Sequence, residues 1–177
     1  MKSFPIVLLL FFFQLQLLAQ NNVASFPKDF VGIWKGTLDW HRAGDTAPRK
    51  INMELHILPS KDTAGQYTWR LVYGKPGEDN RPYILKKVDT AGIHWVIDEL
   101  NGIVLDQYWI GNRFYGSFTV QNTTIVNCYY LENNQLIAEF ISWPARPVAT
   151  TGKGDEDSPF VDSYNIRSLQ RAVLQKQ

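Results

Sequence analysis

Cysteine is nearly absent from this sequence, since Cys128 is the only one among 177 residues. A single cysteine excludes an internal disulfide, so the packing of the core must stabilise the fold unaided. We expect Cys128 to be a buried, inert thiol, because an isolated cysteine usually behaves as a small apolar side chain. A reactive thiol and a link between two copies are the alternatives.

Net charge and histidine are also scarce. The chain has 18 basic and 17 acidic side chains and three histidines, His41, His56 and His94. A balanced domain lacks the positive surface of nucleic-acid-binding proteins, so we expect no nucleic-acid partner. The positions of the histidines do not favour a shared metal site, and we expect neither a metal nor a cofactor.

One long apolar run is present, from Phe4 to Phe13, preceded by Lys2 and followed by Leu17-Leu18-Ala19. A basic residue, a short apolar run and a small residue are typical of a signal peptide. The run is shorter than the roughly 20 residues that span a bilayer. The sequence therefore predicts a signal peptide over 1–19, cleaved near Ala19, and a secreted or periplasmic protein; a retained anchor is the alternative.

After a leader at 20–30, β-branched and aromatic segments alternate with turn residues. Nine strands are predicted, at 31–41, 50–58, 66–74, 82–88, 93–99, 103–110, 113–120, 123–132 and 135–143. Because the connections are short, neighbouring strands must be antiparallel. We therefore expect an all-β fold over 31–143, an antiparallel up-and-down meander closed into a barrel, with a sandwich as the alternative.

The C-terminal part differs from the strands in composition and in the spacing of its apolar residues. Residues 144–162 are rich in Pro, Gly and Thr, which is typical of an exposed linker. Ile166, Leu169 and Val173 follow a helical spacing. The sequence thus predicts a C-terminal helix over 163–177 that packs on the barrel.

The short turns also predict which side chains face inward, because side chains alternate along a strand. Counting from turns at 89–92, 101–102, 111–112, 121–122 and 133–134 gives one face as the interior. That face comprises Leu85, Val96, Leu100, Ile103, Leu105, Trp109, Phe114, Phe118, Val120, Ile125, Leu131, Leu136, Ala138 and Phe140. The opposite face carries the charged residues and four aromatic ones, Trp95, Tyr108, Tyr115 and Tyr130. This outer aromatic face would receive the C-terminal helix or, as the alternative, form a homodimer or partner interface.

The first strand contains Gly32-Ile33-Trp34 after a short leader. A Gly-x-Trp at this place resembles the signature of lipocalins and the wider calycin group. The resemblance implies a calycin-like barrel in which Gly32 and Trp34 have a structural role, with Trp34 inside the closed end. Leu38 and Trp40 would share its inward face.

The same counting places several polar side chains in the interior: Tyr83, Lys87, His94, Asp98, Gln107, Asn127, Tyr129 and Ser142. A buried polar group without a partner costs about 1–3 kcal/mol. A mutual hydrogen-bond network, ordered water or a ligand would each satisfy these groups. Gly116 lies between Gln107 and Asn127 and leaves space there. We expect the ligand-binding residues to be Tyr83, His94, Asp98, Gln107, Trp109, Asn127 and Tyr129.

Catalysis is not expected. His94 and Asp98 lie four residues apart on one strand, about 13 Å, which is too far for a direct pair. The sequence favours a non-enzymatic exported barrel that binds a small apolar or amphipathic molecule. A structural or protein-interaction module is the alternative, and a secreted hydrolase using Tyr83, His94 and Asp98 is a remote one.

The tripeptide Asp-Thr-Ala recurs at 45–47, 62–64 and 89–91. Ordinary turn chemistry explains Asp and Thr at such places. The tripeptide also resembles an O-glycosylation acceptor motif of some Gram-negative secretory systems. Thr46, Thr63 and Thr90 are therefore hypothetical acceptors.

Overall fold

The structure is a computed structural model that describes residues 24–75 and 77–177. The predicted signal peptide at 1–19 and its cleavage site near Ala19 lie outside the described residues. The same holds for the first part of the predicted leader.

The described chain is an antiparallel β-barrel closed by ten strands, so the predicted fold class is confirmed. Around the ring the strand order is β1-β12-β9-β8-β7-β6-β5-β4-β3-β2, and β2 returns to β1. The barrel strands are β1 (Gly32–Arg42), β2 (Arg49–Ile57), β3 (Gln66–Tyr73), β4 (Asp79–Lys87), β5 (His94–Asp98), β6 (Val104–Ile110), β7 (Arg113–Val120), β8 (Thr123–Glu132), β9 (Gln135–Pro144) and β12 (Ser168–Lys176). A small hairpin, β10 (Ala149–Thr151) and β11 (Val161–Ser163), stands apart from the ring.

Three two-residue turns set the register of β6 to β9 as the sequence predicts. Ile110 pairs with Arg113, Val120 with Thr123 and Glu132 with Gln135. Asn112, Asn122 and Asn134 each adopt a φ of 62°. Asparagine tolerates this left-handed conformation, which hairpin turns of two residues require. The predicted inward and outward faces of these four strands are therefore confirmed.

The predicted register of β5 is wrong by one residue. Leu85 pairs with Ile97 instead of Val96, and Ile97 pairs with Leu105. The turns on both sides are longer than counted, because Val88 bonds to His94 and Glu99 bonds to Ile103. A shift of one residue turns every side chain of a strand to the other face.

Two side-chain and backbone features lengthen these turns. The Asp89 carboxylate accepts hydrogen bonds from the backbone amides of Gly92, Ile93 and His94, which holds Ile93 in the turn. Leu100 adopts a φ of 61° and is exposed, contrary to its predicted inward position. Trp95 and Ile97 consequently face the core, so the predicted outward position of Trp95 is wrong.

The predicted C-terminal helix is wrong. Residues 168–176 form β12, which pairs with β9 on one side and β1 on the other. Ala172 and Leu174 are fully buried in the core, and Val173 between them faces outward. The alternation of a strand therefore prevails over the helical spacing of Ile166, Leu169 and Val173, because β12 closes the ring.

One end of the barrel is filled by side chains. The 3₁₀ turn Lys28–Phe30 crosses this closed end, and Phe30 is fully buried beneath it. The indole N–H of Trp34 donates to the carbonyl of Phe30 at 2.7 Å. Phe26 stacks on Phe114 with ring centroids 4.1 Å apart. Trp34 thus lies inside the closed end, as the resemblance implied.

Candidate functional site

The opposite end of the barrel contains a cavity of about 710 Å³. This volume is within the range of small-molecule pockets, about 300–1,000 Å³. Most of its wall is apolar or aromatic and includes Leu38, Trp40, Ile51, Trp69, Leu71, Ile97, Leu105, Phe118, Ile125 and Phe140. The connections β1–β2, β3–β4, β5–β6 and β7–β8 surround the opening. The lumen is therefore packed at one end and open at the other.

Two carboxamides, those of Gln107 and Asn127, form the floor of the cavity. Gln107 is 0% exposed and Asn127 is 3% exposed. They lie on β6 and β8, and Gly116 of β7 pairs with both. A Cβ atom on Gly116 would lie 2.5 Å from Cδ of Gln107. A larger residue at position 116 would therefore displace the Gln107 carboxamide, which lies across the position of the missing Cβ.

Each carboxamide of this floor pair is only partly satisfied. Asn127 Nδ2 donates to Gln107 Oε1 at 2.8 Å. Gln107 Nε2 and Asn127 Oδ1 are buried and have no hydrogen-bond partner among the described residues. Turning both amides over exchanges the donor and the acceptor of this bond but leaves the same number of free groups. In either orientation the pair keeps one free donor group and one free acceptor.

A third buried polar group also borders the cavity. The indole N–H of Trp69 has no acceptor among the described residues. Its ring meets the ring of Tyr129 edge to face, with centroids 5.0 Å apart. Burial raises the pKa of Tyr129 well above its ordinary value, so this phenol stays neutral. The floor thus offers hydrogen-bonding groups but no charge.

Charged side chains of the cavity wall are confined to its mouth. Arg81 donates two hydrogen bonds to Asp79, at 2.9 and 2.8 Å, and lies 5.1 Å from the ring centre of Tyr73. The hydrogen bond from Arg81 lowers the pKa of Asp79. Burial raises the pKa of Tyr73 to about 12. Burial and the nearby Glu99 carboxylate raise the pKa of Tyr83, which completes this rim.

His94 and Asp98, predicted to face inward, lie outside the barrel because of the shifted β5. His94 Nε2 is 2.7 Å from Asp106 Oδ1, and its ring stacks on Tyr108 with centroids 4.7 Å apart. Asp98 forms an ion pair with Lys86, and this hydrogen bond lowers the pKa of Asp98. The barrel wall therefore separates both residues from the cavity.

The other predicted ligand-binding residues face the lumen, but they are divided between the cavity and the closed end. Tyr83, Gln107, Asn127 and Tyr129 line the cavity. Trp109 is at the closed end, where it stacks on Phe26. Lys87 is exposed at the rim of the closed end and donates to the Thr90 carbonyl at 3.0 Å.

Ser142, the remaining inward polar residue, also borders the cavity. Its hydroxyl group is 2.8 Å from that of Ser168. This pair is thus satisfied within the protein, in contrast to the floor pair.

Sequence reasoning missed three residues of β3 and β4 that border the cavity, namely Trp69, Tyr73 and Arg81. The loops that flank these strands are too long for the strand register to be found by counting residues. The alternation of Tyr67, Trp69, Leu71 and Tyr73 was the available signal, since every second residue shares a face.

The outer aromatic face is smaller and better covered than predicted. Tyr130 packs with Cys128 and Ile137, and the Arg113 guanidinium lies 3.8 Å from the Tyr130 ring centre. Burial raises the pKa of the Cys128 thiol. Arg171 bonds Glu139 beside this cluster at 3.2 Å. The cluster is thus shielded by side chains of the barrel itself.

The described part of the chain contains neither a cluster of metal ligands nor a membrane-spanning helix. No three His, Cys, Asp or Glu side chains there gather as metal ligands. No helix within residues 24–75 and 77–177 has the length and apolarity to cross a membrane.

Comparisons with known proteins give a fold and no family. No protein-family model matches the sequence, and no curated protein matches it. Among solved structures, the chain is similar to the crystal structure of a protein of unknown function from the DUF3598 family of Nostoc punctiforme PCC 73102. The TM-score is 0.60 at 12% sequence identity, over 85% of this chain and 48% of the other. The chain spans about half the length of that protein, and the likeness establishes the barrel fold alone.

Proposed function

We propose that this barrel holds a small apolar or amphipathic molecule in its lumen and performs no chemistry on it. The observation that carries the proposal is the cavity of about 710 Å³ with two half-satisfied carboxamides on its floor. Buried polar groups in proteins normally have partners. A bound molecule would complete the hydrogen bonds of Gln107 and Asn127 while its apolar part covers the aromatic wall.

The resemblance to lipocalins and calycins supports this proposal. Trp34 is buried at the closed end and Gly32 precedes it at the start of β1. Small barrels commonly hold one small molecule, and packing at one end leaves the opposite end for it. The cavity of this protein lies at that end.

A hydrolase is disfavoured by the same geometry. The predicted trio of Tyr83, His94 and Asp98 is divided by the barrel wall, with only Tyr83 at the cavity. Around the cavity, Ser142 is bonded to Ser168 and no histidine adjoins it in the described wall. A nucleophile without a base beside it is not activated.

An interaction module remains the second candidate, and Tyr108 is the observation in its favour. Tyr108 is 42% exposed, and His94 stacks on it on the outer surface. Tyr115 and Tyr130, however, belong to the shielded cluster described above. The surface available for a homodimer through the outer aromatic face is thus smaller than the sequence suggested.

We further propose that the protein acts after export. The test is the intact mass of the protein recovered from its own host. Cleavage near Ala19 predicts the mass of a chain beginning at Gln20. Added hexose masses would indicate glycosylation at the exposed Thr46, Thr63 and Thr90. A mass equal to the full, unmodified chain would contradict both ideas.

Lumen binding is tested with a fluorescent apolar probe, N-phenyl-1-naphthylamine, and two matched variants. Ile125 lines the cavity, and Val126 beside it on β8 faces outward. We expect Ile125→Trp to narrow the lumen and lower the probe fluorescence, while Val126→Trp binds like the wild type. Equal binding by both variants would show that the probe occupies another place and would contradict the proposal.

A second measurement identifies the natural occupant. Native mass spectrometry of protein purified from its host should reveal a mass above that of the chain that disappears on denaturation. The same adduct should be less abundant in Ile125→Trp. An adduct equally abundant in both would indicate a ligand outside the lumen.

A further inference from the structure

The charges of the cavity are distributed unequally along its axis. Among the described residues of the wall, only Asp79, Arg81 and Glu99 carry charge, and all three are at the mouth. Arg81 is already bound by both oxygens of Asp79. The floor, where Gln107, Asn127 and Trp69 lie, is neutral. The nearest charged residue, Arg81, lies two residues along β4 from Tyr83, the partner of Trp69, which is about 7 Å along the strand. Its charge is already balanced by Asp79, so it does not provide a free cation for an ion at the floor.

From this distribution we infer that the occupant of the lumen binds head-first, with an uncharged head that both donates and accepts a hydrogen bond. The classes that fit are carboxamides, lactams and protonated carboxylic acids with an apolar body. This inference rests on the proposed function and assigns the chemistry of the same site.

The requirement to donate and accept follows from the floor pair. One N–H group and one C=O group of the pair remain free, whichever way the two amides are turned. The N–H group of Trp69 is a further free donor. A group with a carbonyl oxygen and an adjacent N–H or O–H satisfies both kinds at once. An ester or ketone would leave the Asn127 or Gln107 acceptor unpaired.

The requirement to be uncharged follows from burial. An ionised carboxylate loses its hydration at such a depth and is stabilised only by a paired cation. The described floor has no cation to offer. A carboxylic acid should therefore bind in its protonated form, and its binding should weaken as the pH rises.

The orientation follows from Gly116. The Gln107 carboxamide lies over this glycine and borders the cavity. Gln107 is 0% exposed and borders the cavity, so a partner for its free N–H group can approach only through the lumen. The polar head must therefore be at the bottom, and the apolar body must extend past Phe118 and Phe140 toward the mouth.

The test is displacement of N-phenyl-1-naphthylamine at pH 8 by three probes with the same chain length. Decanamide donates and accepts, methyl decanoate only accepts, and decanoate is ionised. Decanamide makes one hydrogen bond more than methyl decanoate, which at about 1 kcal/mol predicts that decanamide displaces the probe at an about fivefold lower concentration. Ionised decanoate should compete more weakly than decanamide, because its charge loses hydration at the floor. Decanoate should gain affinity when the pH falls to 5, whereas decanamide should not.

The variant Gln107→Met/Asn127→Leu provides the matched control, because it removes both carboxamides and keeps an apolar floor. We expect it to bind N-phenyl-1-naphthylamine but to lose the preference for decanamide. If this double variant fails to fold, Gln107→Met alone is used, and it should lower the preference by several fold.

The outcomes separate the inference from the function on which it rests. No binding of N-phenyl-1-naphthylamine or of any decanoyl probe overturns the proposed function, and the inference with it. Binding of all three decanoyl probes with equal strength, or strongest binding of ionised decanoate, overturns the inference alone. An unchanged preference in the variants likewise overturns the role of the floor pair.

Discussion

Tryptophan side chains at the two ends of the barrel differ in whether their indole N–H groups have a hydrogen-bond acceptor. At the closed end, the indole N–H of Trp34 donates to Phe30 and that of Trp95 donates to Gly92. At the open end, the buried indole N–H groups of Trp40 and Trp69 have no partner among the described residues. The chain thus provides acceptors where packing is the only requirement and omits them around the cavity. This contrast supports the proposal that the closed end stabilises the fold and the open end holds an occupant.

The largest expected effect comes from removing an aromatic ring at the closed end. Phe30→Ala should lower the free energy of unfolding by about 3–5 kcal/mol, because the ring is fully buried and leaves a void. Phe140→Ala at the open end should cost less, about 1–2 kcal/mol, because its ring already borders the cavity. Urea unfolding measures both. Equal losses would remove the distinction between the two ends.

A smaller loss of stability is expected when only one carboxamide of the floor pair is removed. Asn127→Leu leaves Gln107 buried without any partner, which should cost about 1–3 kcal/mol. Adding Gln107→Met should recover most of this loss, since no polar group then remains unsatisfied. Urea unfolding of the two single variants and the double variant gives the coupling. Additive losses would mean that the floor pair is not a unit.

Gly116→Ala should have a similar or slightly smaller effect. The new Cβ would displace the Gln107 carboxamide, at a cost of about 1–2 kcal/mol. Ser117→Ala, whose side chain faces outward on the same strand, is the control and should be near neutral. Thermal unfolding and binding of N-phenyl-1-naphthylamine are the readouts. A Gly116→Ala protein with wild-type stability would contradict the close packing at the floor.

The smallest effect concerns the charged mouth. The pKa of Asp79 is lowered by Arg81, so its ionised form stabilises the folded protein. This contribution is complete above the unfolded-state pKa of about 4 and is lost as the pH falls through the lower folded-state value. The pair is partly exposed, so solvent screening keeps the effect small. Between pH 5 and pH 3, the Tm of the wild type should fall slightly more than that of Asp79→Asn. An identical fall in both proteins would contradict a stabilising role of ionised Asp79.

The sequence predicted most of the barrel because its turns are informative. Turns of two residues leave no freedom of register, so Gln107, Asn127 and Tyr129 were placed inside correctly. The position of β5 depends on Asp89, whose side chain gathers three backbone amides into a longer turn. A side chain that determines loop length in this way is not visible in a count of residues. His94 and Asp98 were misplaced for that reason alone.

The tenth barrel strand, β12, was absent from the prediction, although closure of the ring indicates it. In a meander of nine antiparallel strands, the first and the ninth run in the same direction. A ring in which all neighbours are antiparallel needs an even number of strands, and an unpaired edge is unfavourable. The segment after β9 was the remaining candidate, and Ala172 and Leu174 are spaced as inward residues of a strand. Ring closure was therefore a stronger guide there than helical spacing.

The position of β12 has a consequence for the order of events in folding. β1 pairs with β12 over nine residues, although these are the first and last strands of the described chain. The two edges of the sheet can join only after the C-terminal segment has become available. Contacts between such distant segments slow folding, because the intervening chain must be ordered first. Until that moment, β1 and β9 present free edges, and a protein synthesised without its last ten residues would keep them.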